Sequence, residues 1–318
     1  MSAKIMDGKS FAKEVRSELK KQVASLSKPA GLGTILVGDD PGSIAYVDGK
    51  HRDCAEVGIN SIKVNLPASA STDEVISSVN NLNSDPLCTG FIVQLPLPKA
   101  VDTQKVLAAI NPSKDADGLT PSNLGNLVLG FNAITPCTPL AIVALLEQYK
   151  VNMSGQEVLI IGRGTTVGRP LSILLSQKPH NATVTLAHSA TKNLTQLLQK
   201  ADVVISAIGS AHLLKAEMFK KGAVVVDVGI TRVGNQLLGD IDPEVVNTAS
   251  LFAPMPGGIG PVTRVMLLKN LIQLANNERM MFCGVSQQRK SPADFRRSAD
   301  VFKALSNPNR LLIIEALS

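Results

Sequence analysis

The chain has 318 residues, with 32 Lys+Arg against 26 Asp+Glu for a formal charge of +6. A hydrophobic share of 44% with 18% charged residues can fill a sizeable core and excludes a disordered or solvating chain. Eight Phe, two Tyr and no Trp leave too few rings for the stacking platforms of single-strand nucleic-acid binders.

The basic excess is uneven. Residues 279–318 hold seven Lys/Arg and three Asp/Glu, so the preceding 278 residues, with 25 against 23, are close to neutral. The pI of 9.1 therefore describes the tail more than the body, and nucleic acid is not an expected partner. Cys54, Cys88, Cys137 and Cys283 are spaced too widely for a zinc knuckle or redox pair and read as isolated thiols, so no metal site is expected. The N-terminus has charges where a signal peptide would have an apolar stretch, and no apolar run reaches membrane-spanning length. A cytoplasmic protein without a membrane partner is expected.

In chain order, Phe11, Val15, Leu19 and Val23 recur every four residues and predict a helix over 10–24. The run 34–37 reads as a strand ending in a Gly/Asp/Pro turn at 38–42, with Ser43 as the expected cap of the next helix. Alternating Ile62, Val64 and Leu66 predict a strand, 72–82 a helix, and 91–95 a buried strand stopped by Pro96 and Pro98. A Pro/Gly/Asn-rich passage follows from 111 to 139. Apolar runs at 157–162, 182–186, 203–206 and 223–227, separated by helix-length segments, then predict a parallel sheet with helices on both faces. Residues 261–276 read as a closing helix, and 300–317 as a short helical hairpin. The fold class is α/β, with a domain change near residue 140.

Four constellations carry chemistry. Gly162-Arg163-Gly164 through Gly168 follows an apolar strand and opens a helix, a variant of the dinucleotide fingerprint in which backbone amides meet a pyrophosphate. The next strand ends in Ala187-His188-Ser189 and lacks the acidic residue that grips an NAD ribose, so Arg163 and Ser189 favour the 2′-phosphate of NADP. Tyr46 and Lys50 stand at i and i+4 on one helix face, where burial could make the amine an acid/base group. The same spacing marks short-chain dehydrogenases, but there it follows the Gly-rich loop and here it precedes it by more than a hundred residues. Gln94, polar within an apolar strand, needs partners; Asp117 sits in a loop; the Gly/Pro-rich segment 254–261 permits close backbone approach.

Taken in order, Tyr46-x-x-x-Lys50, the Val93-Gln94-Leu95-Pro-Leu-Pro run, Lys114-Asp-Ala-Asp117-Gly, Gly162-Arg-Gly-x-x-Val-Gly-x-Pro170 and Pro256-Gly-Gly-Ile-Gly-Pro261 closely resemble bifunctional methylenetetrahydrofolate dehydrogenase/methenyltetrahydrofolate cyclohydrolases over about residues 3–280. The resemblance implies oxidation of 5,10-methylene- to 5,10-methenyltetrahydrofolate with NADP, then hydrolysis to 10-formyltetrahydrofolate, by a homodimer. It implies a folate-binding catalytic domain from 1–140 with 262–283, a Rossmann-type NADP domain from 141–261, and the substrate in the cleft between them. Lys50 would be the catalytic amine, Tyr46 would pack on the folate, Gln94 would orient Lys50, and Asp117 would anchor the pterin. Val93, Leu95, Pro256, Gly257, Gly258, Ile259 and Gly260 would line the folate site; Gly162, Arg163, Gly164, Ser189 and Ile230 would contact the dinucleotide.

Three features depart from that pattern. Gly164 stands where the family often has Ser, Val262 and Arg264 replace a more usual Met and small apolar residue, and the tail is foreign. Residues 299–317 resemble the opening helices of arsenic-type winged-helix repressors, whose recognition helix comes later in the chain, so 284–318 reads as a basic appendage. The rival readings are another NADP-linked dehydrogenase and a DNA-binding regulator on a dead enzyme scaffold. The joint presence of Tyr46, Lys50, Gln94 and Asp117 argues against a dead site.

Overall fold

The computed structural model of the chain describes residues 2–234 and 236–282, the last six by backbone alone. After a short strand, Lys4–Ile5 (β1), the helix Gly8–Ala24 (α1) begins where the Asp7 side chain accepts from the backbone N–H groups of Lys9 and Ser10. Its expected apolar face holds, with Leu19 buried and Phe11, Val15 and Val23 packed on the core. Gly31–Val37 (β2), Pro41–Val57 (α2), Asn60–Leu66 (β3), Thr72–Ser84 (α3) and Gly90–Val93 (β4) form a three-stranded parallel sheet in the order β3-β2-β4. Central β2 is buried along its whole length, whereas outer β3 alternates as its sequence predicts. The α3 start is a reciprocal capping box of Ser71 and Glu74.

One expected cap is corrected. Asp40, not Ser43, caps α2: its carboxylate accepts the Ser43 N–H at 2.7 Å, and Pro41, whose fixed φ suits the first helical position, starts the helix before Ser43 is reached.

The Pro/Gly/Asn-rich passage is more ordered than its composition suggests. It follows a helix Thr103–Ala109 (α4) and contains Pro121–Leu129 (α5), capped by Thr120, opened by Pro121 and closed by left-handed Gly130, so its breakers mark helix ends. The buried helix Cys137–Gln148 (α6) then leads into the second sheet.

That sheet uses Glu157–Ile161 (β5), Gly168–Ser176 (helix α7), Thr183–Ala187 (β6), Leu194–Lys200 (helix α8), Val203–Ser206 (β7) and Val224–Asp227 (β8). A hairpin of Thr231–Val233 (β9) and Gln236–Leu238 (β10) precedes the last strand, Leu251–Ala253 (β11), and the long helix Ile259–Phe282 (α9). The six strands run parallel in the order β1-β11-β8-β7-β5-β6, so β1 joins the second sheet although α1 packs with the first lobe. The order reverses at β5, between β6 and β7, and a crevice for a ligand opens outside its C-terminal end. The α9 helix returns to the first lobe, where Leu271 and Leu274 fill the space that a side chain at Gly90 would need. One apolar cluster runs through both lobes, joining Leu32 and Ile92 to Ile160 and Val226 by way of α6 and α9. The predicted hairpin at 300–317 lies outside the described residues.

Candidate active site

A cleft of about 990 Å³ opens between the C-terminal ends of the two sheets. The first lobe contributes Tyr46, Lys50, Val93, Gln94, Leu95 and Asp117; the second contributes Thr166, Val167, Asp227, Val228, Ile230 and Arg232; and α9 contributes Ile259, Gly260 and Thr263. Residues separated by two hundred positions in the sequence thus share one cavity.

At its floor, α2 places Tyr46 and Lys50 one turn apart, and the Lys50 Nζ lies 4.6 Å from the centre of the Tyr46 ring. Lys50 is buried and donates to Gln94 Oε1 at 2.9 Å. Gln94 follows the last residue of β4, held by its backbone N–H to Ile35 O at 2.8 Å, and its own amide nitrogen donates to Leu95 O at 2.7 Å. That second bond fixes which end of the amide faces the lysine. Burial pushes the Lys50 amine below its ordinary 10.5; Asp117 and Cys137 oppose the shift and Arg264 adds to it. Burial pushes the Asp117 carboxyl up, and the Lys50 charge opposes this. Both groups are driven toward their neutral forms, the state in which an amine keeps a lone pair for a proton. The Tyr46 phenol is pushed up, chiefly by burial, and stays protonated.

Asp117 is carried by a loop whose organiser is a different carboxylate. Asp115, 1% exposed, accepts from Gly118 N–H, Thr120 N–H and Asn123 Nδ2 at 2.8–2.9 Å. Sequence reasoning missed Asp115, although the pattern Asp-x-x-Gly-x-Thr is a turn signal that could have shown it. Also missed were Thr263, beside the Tyr46 phenol, and Asp227, which closes the cleft from β8 with a carboxyl that burial pushes up to about 7.

The strand-to-helix turn after β5 has the shape a dinucleotide needs. Gly162 has φ +113° and passes so close to Ala207 O, at the end of β7, that a Cβ would overlap it; a Cβ on Gly168 would likewise overlap Gly162 O. Glycine at both positions brings the loop backbone up to the N-terminus of α7, the positive end of the helix dipole, where Arg169 N–H is taken by Gly164 O at 3.1 Å. Arg163, Gly164 and Ser189 are exposed and, like Gly162, lie off the cleft lining, which takes Thr166 and Val167 from this turn; Arg163 follows β5 and Ser189 follows β6, whose ends pair through Ile161 and Ala187. Ile230 is on the cleft lining and 54% exposed. Pro256, Gly257 and Gly258 are not on the lining: a Cβ on Gly8 would strike Gly258 O, so this segment packs against the start of α1, and Ile259 and Gly260 beyond it reach the cleft. The turn therefore fits a dinucleotide, and among the described residues no cluster of His, Cys, Asp and Glu could hold a metal ion.

Comparison with known proteins agrees with this geometry. Residues 6–117 match the tetrahydrofolate dehydrogenase/cyclohydrolase catalytic domain and residues 136–279 its NAD(P)-binding domain. The bifunctional methylenetetrahydrofolate dehydrogenase/cyclohydrolase of Campylobacter jejuni is 38% identical over 87% of this chain and 100% of its own, with a TM-score of 0.84. The Trypanosoma brucei enzyme, solved with NADP and an inhibitor, is 36% identical over 88% and 99%, with a TM-score of 0.83. The enzyme from Thermoplasma acidophilum is 30% identical over 87% and 100%, at 0.80. With both domain models matched in order over most of its length, the chain belongs to the tetrahydrofolate dehydrogenase/cyclohydrolase family.

Proposed function

We propose that this protein oxidises 5,10-methylenetetrahydrofolate with NADP and hydrolyses the methenyl product to 10-formyltetrahydrofolate, with Lys50 serving the hydrolysis. The observation that carries the reading is the buried Lys50 amine, held at 2.9 Å by Gln94 in a cleft that reaches Thr166 and Val167 of the turn after β5. The nicotinamide supplies a hydride acceptor when bound. The chain's part in that step is positioning: Tyr46 offers a ring face for the folate, Asp117 a carboxyl for the pterin, and the Gly162–Gly168 turn seats the pyrophosphate. Hydrolysis asks for more. Water adds to the methenyl carbon and loses a proton; as the bond from that carbon to N5 breaks, N5 gains a proton and the carbinol hydroxyl releases its own to become the formyl carbonyl, so one proton is set free overall. An amine that already donates to Gln94 Oε1 keeps its lone pair for the proton of the water and can return it to N5. Reduction of NADP that requires methylenetetrahydrofolate, with the methenyl absorbance rising and decaying, tests both steps; no cofactor reduction with this substrate would overturn the reading.

The departure at Gly164 gives a second test. A Cβ there would meet nothing nearer than Thr166 Oγ1 at 3.9 Å, so a side chain fits. Gly164→Ser is expected to tighten NADP binding by roughly two- to tenfold through one added hydroxyl contact, read by cofactor titration. Weaker binding would show that the loop needs its glycine.

On the family resemblance we also read the chain as one subunit of a cytoplasmic homodimer and 284–318 as an appendage without a catalytic part. Among the described residues no helix is long and apolar enough to cross a membrane. The cleft residues all precede 268, and residues 1–275 make up one compact unit. Truncation after Cys283 is expected to leave both activities within about twofold of the intact protein, a size typical of changes outside the site. Loss of activity or of the dimer on sedimentation would make the tail structural, and salt-resistant binding of the intact chain to a DNA duplex would make it a DNA contact.

A further inference from the structure

Arg264 follows the Gly/Pro-rich turn at the start of α9, and the structure shows what it does there. From the first turns of α9 it crosses to α2 and lies over Gly49, the residue before Lys50; a Cβ on Gly49 would collide with its Nη1. Its Nε is 3.0 Å from Asp53 Oδ2, and Asp53, 5% exposed, is reached on its other oxygen by Arg16 Nη1 at 3.4 Å. Arg16 also pairs with Glu56 at 3.0 Å. The guanidinium is thus ion-paired with a buried carboxylate, by proximity and not by an aligned hydrogen bond from Nε, and accommodated by a glycine inside a helix, where glycine costs about 1 kcal/mol relative to alanine. Arg264, Asp53 and Gly49 form one arrangement, and it is centred on the helical turn that carries the amine.

We propose that Arg264 is a positioning residue for the hydrolytic step: paired with Asp53 across Gly49, it docks the Lys50 turn of α2 onto α9 and holds a fixed positive charge against the turn that carries the amine. The inference rests on the reading of Lys50 given above. The groups around Lys50 are Tyr46, His51 and Cys54 on α2, Gln94 after β4, Asp117 before α5, Cys137 at the start of α6 and Arg264 on α9, with Asp53, on α2, paired to Arg264. Of these, Arg264 carries the one permanent charge. A permanent cation nearby disfavours a second one, so it acts with burial to lower the pH at which the amine gives up its proton, against the pull of Asp117. Arginine suits the task because its charge survives at any pH at which the protein is folded.

The experiment compares the pH dependence of methenyltetrahydrofolate hydrolysis with that of hydride transfer in Arg264→Gln, Arg264→Lys and Gly49→Ala proteins, with Lys50→Met as the reference. Arg264→Gln is expected to move the rising limb of hydrolysis upward by about 0.5 to 1 in pH, which lowers hydrolysis at a fixed pH on that limb by roughly three- to tenfold. Hydride transfer at saturating substrate should change by less than about twofold, because it needs no proton from Lys50. Arg264→Lys, which keeps the charge, should restore most of the profile. Gly49→Ala, which leaves Arg264 and Asp53 in place but pushes the guanidinium away, should shift the limb in the same direction and serves if Arg264→Gln does not fold. An unmoved limb in whichever of these two variants folds, or equal losses in both reactions, would overturn the inference. Normal hydrolysis by Lys50→Met would instead overturn the assignment of Lys50 itself.

Discussion

A Lys50→Met protein is expected to retain measurable hydride transfer and to lose hydrolysis by about a hundred- to ten-thousandfold, the usual cost of removing a positioned acid/base group. The methenyl species should then accumulate. The two steps make different demands on the same cleft. Hydride transfer needs the methylene carbon held against the nicotinamide, and Tyr46, Asp117 and the Gly162–Gly168 turn remain to do that. Hydrolysis needs a proton taken from water and another delivered to N5, and Lys50 is the buried amine at the floor. Methionine keeps the length and apolar stem of the side chain, so packing under the Tyr46 ring survives while the bond to Gln94 Oε1 does not. The folded-state pKa lies below the 10.5 of the unfolded chain, so protonation of this lysine disfavours folding. That penalty is absent above the unfolded value, grows as the pH falls toward the folded one, and disappears in the variant. Circular dichroism establishes folding, and stopped-flow absorbance of the methenyl species reads the rates. Unchanged hydrolysis in a folded Lys50→Met protein would reduce Lys50 to a structural helix residue.

What could be read from sequence depended on whether the signal was local. The buried strands β7 and β8 announce themselves as continuous Val/Ile runs because a parallel sheet is covered on both faces. The Tyr46/Lys50 pair is legible because α-helical spacing alone brings i and i+4 together. Gln94 is legible because an amide in an apolar strand needs partners, although its actual partner, 44 residues away, is visible only in the fold. The α5 helix was hidden because nine residues between a proline and a glycine look like loop when composition is averaged, and β1 because two residues have no pattern of their own. The Arg264–Asp53 clamp joins residues more than two hundred positions apart. Its one local trace is Gly49, a glycine in the middle of a helix, where the chain gives up helix propensity for room.

Replacing Arg163 by Ala is expected to weaken NADP binding by about ten- to a hundredfold, the range for a hydrogen bond to a charged group, and NAD binding by less than about threefold. The structure supports both halves of that difference. Gly162 and Gly168 build the pyrophosphate turn from backbone alone, through contacts a Cβ would destroy, so the turn does not depend on the Arg163 side chain, and the part of the cofactor common to NAD and NADP should keep its seat. Arg163 itself is exposed just past β5, and Ser189 is exposed just past β6, the neighbouring strand in register with it. In a doubly wound sheet the adenine ribose lies over the end of this second strand, and no carboxylate stands there to grip a 2′-hydroxyl. A guanidinium can bind a 2′-phosphate through two parallel N–H bonds, whereas the bare hydroxyl of NAD offers no charge to pair with. Because the site is open to solvent, the preference for NADP should also narrow as salt is raised, and it should narrow less in the Arg163→Ala protein, which has lost the screened contact. Fluorescence titration of the reduced cofactors at low and high ionic strength measures all of this without turnover. Equal losses for the two cofactors would mean that Arg163 shapes the loop, and that Ser189 or the backbone reads the phosphate.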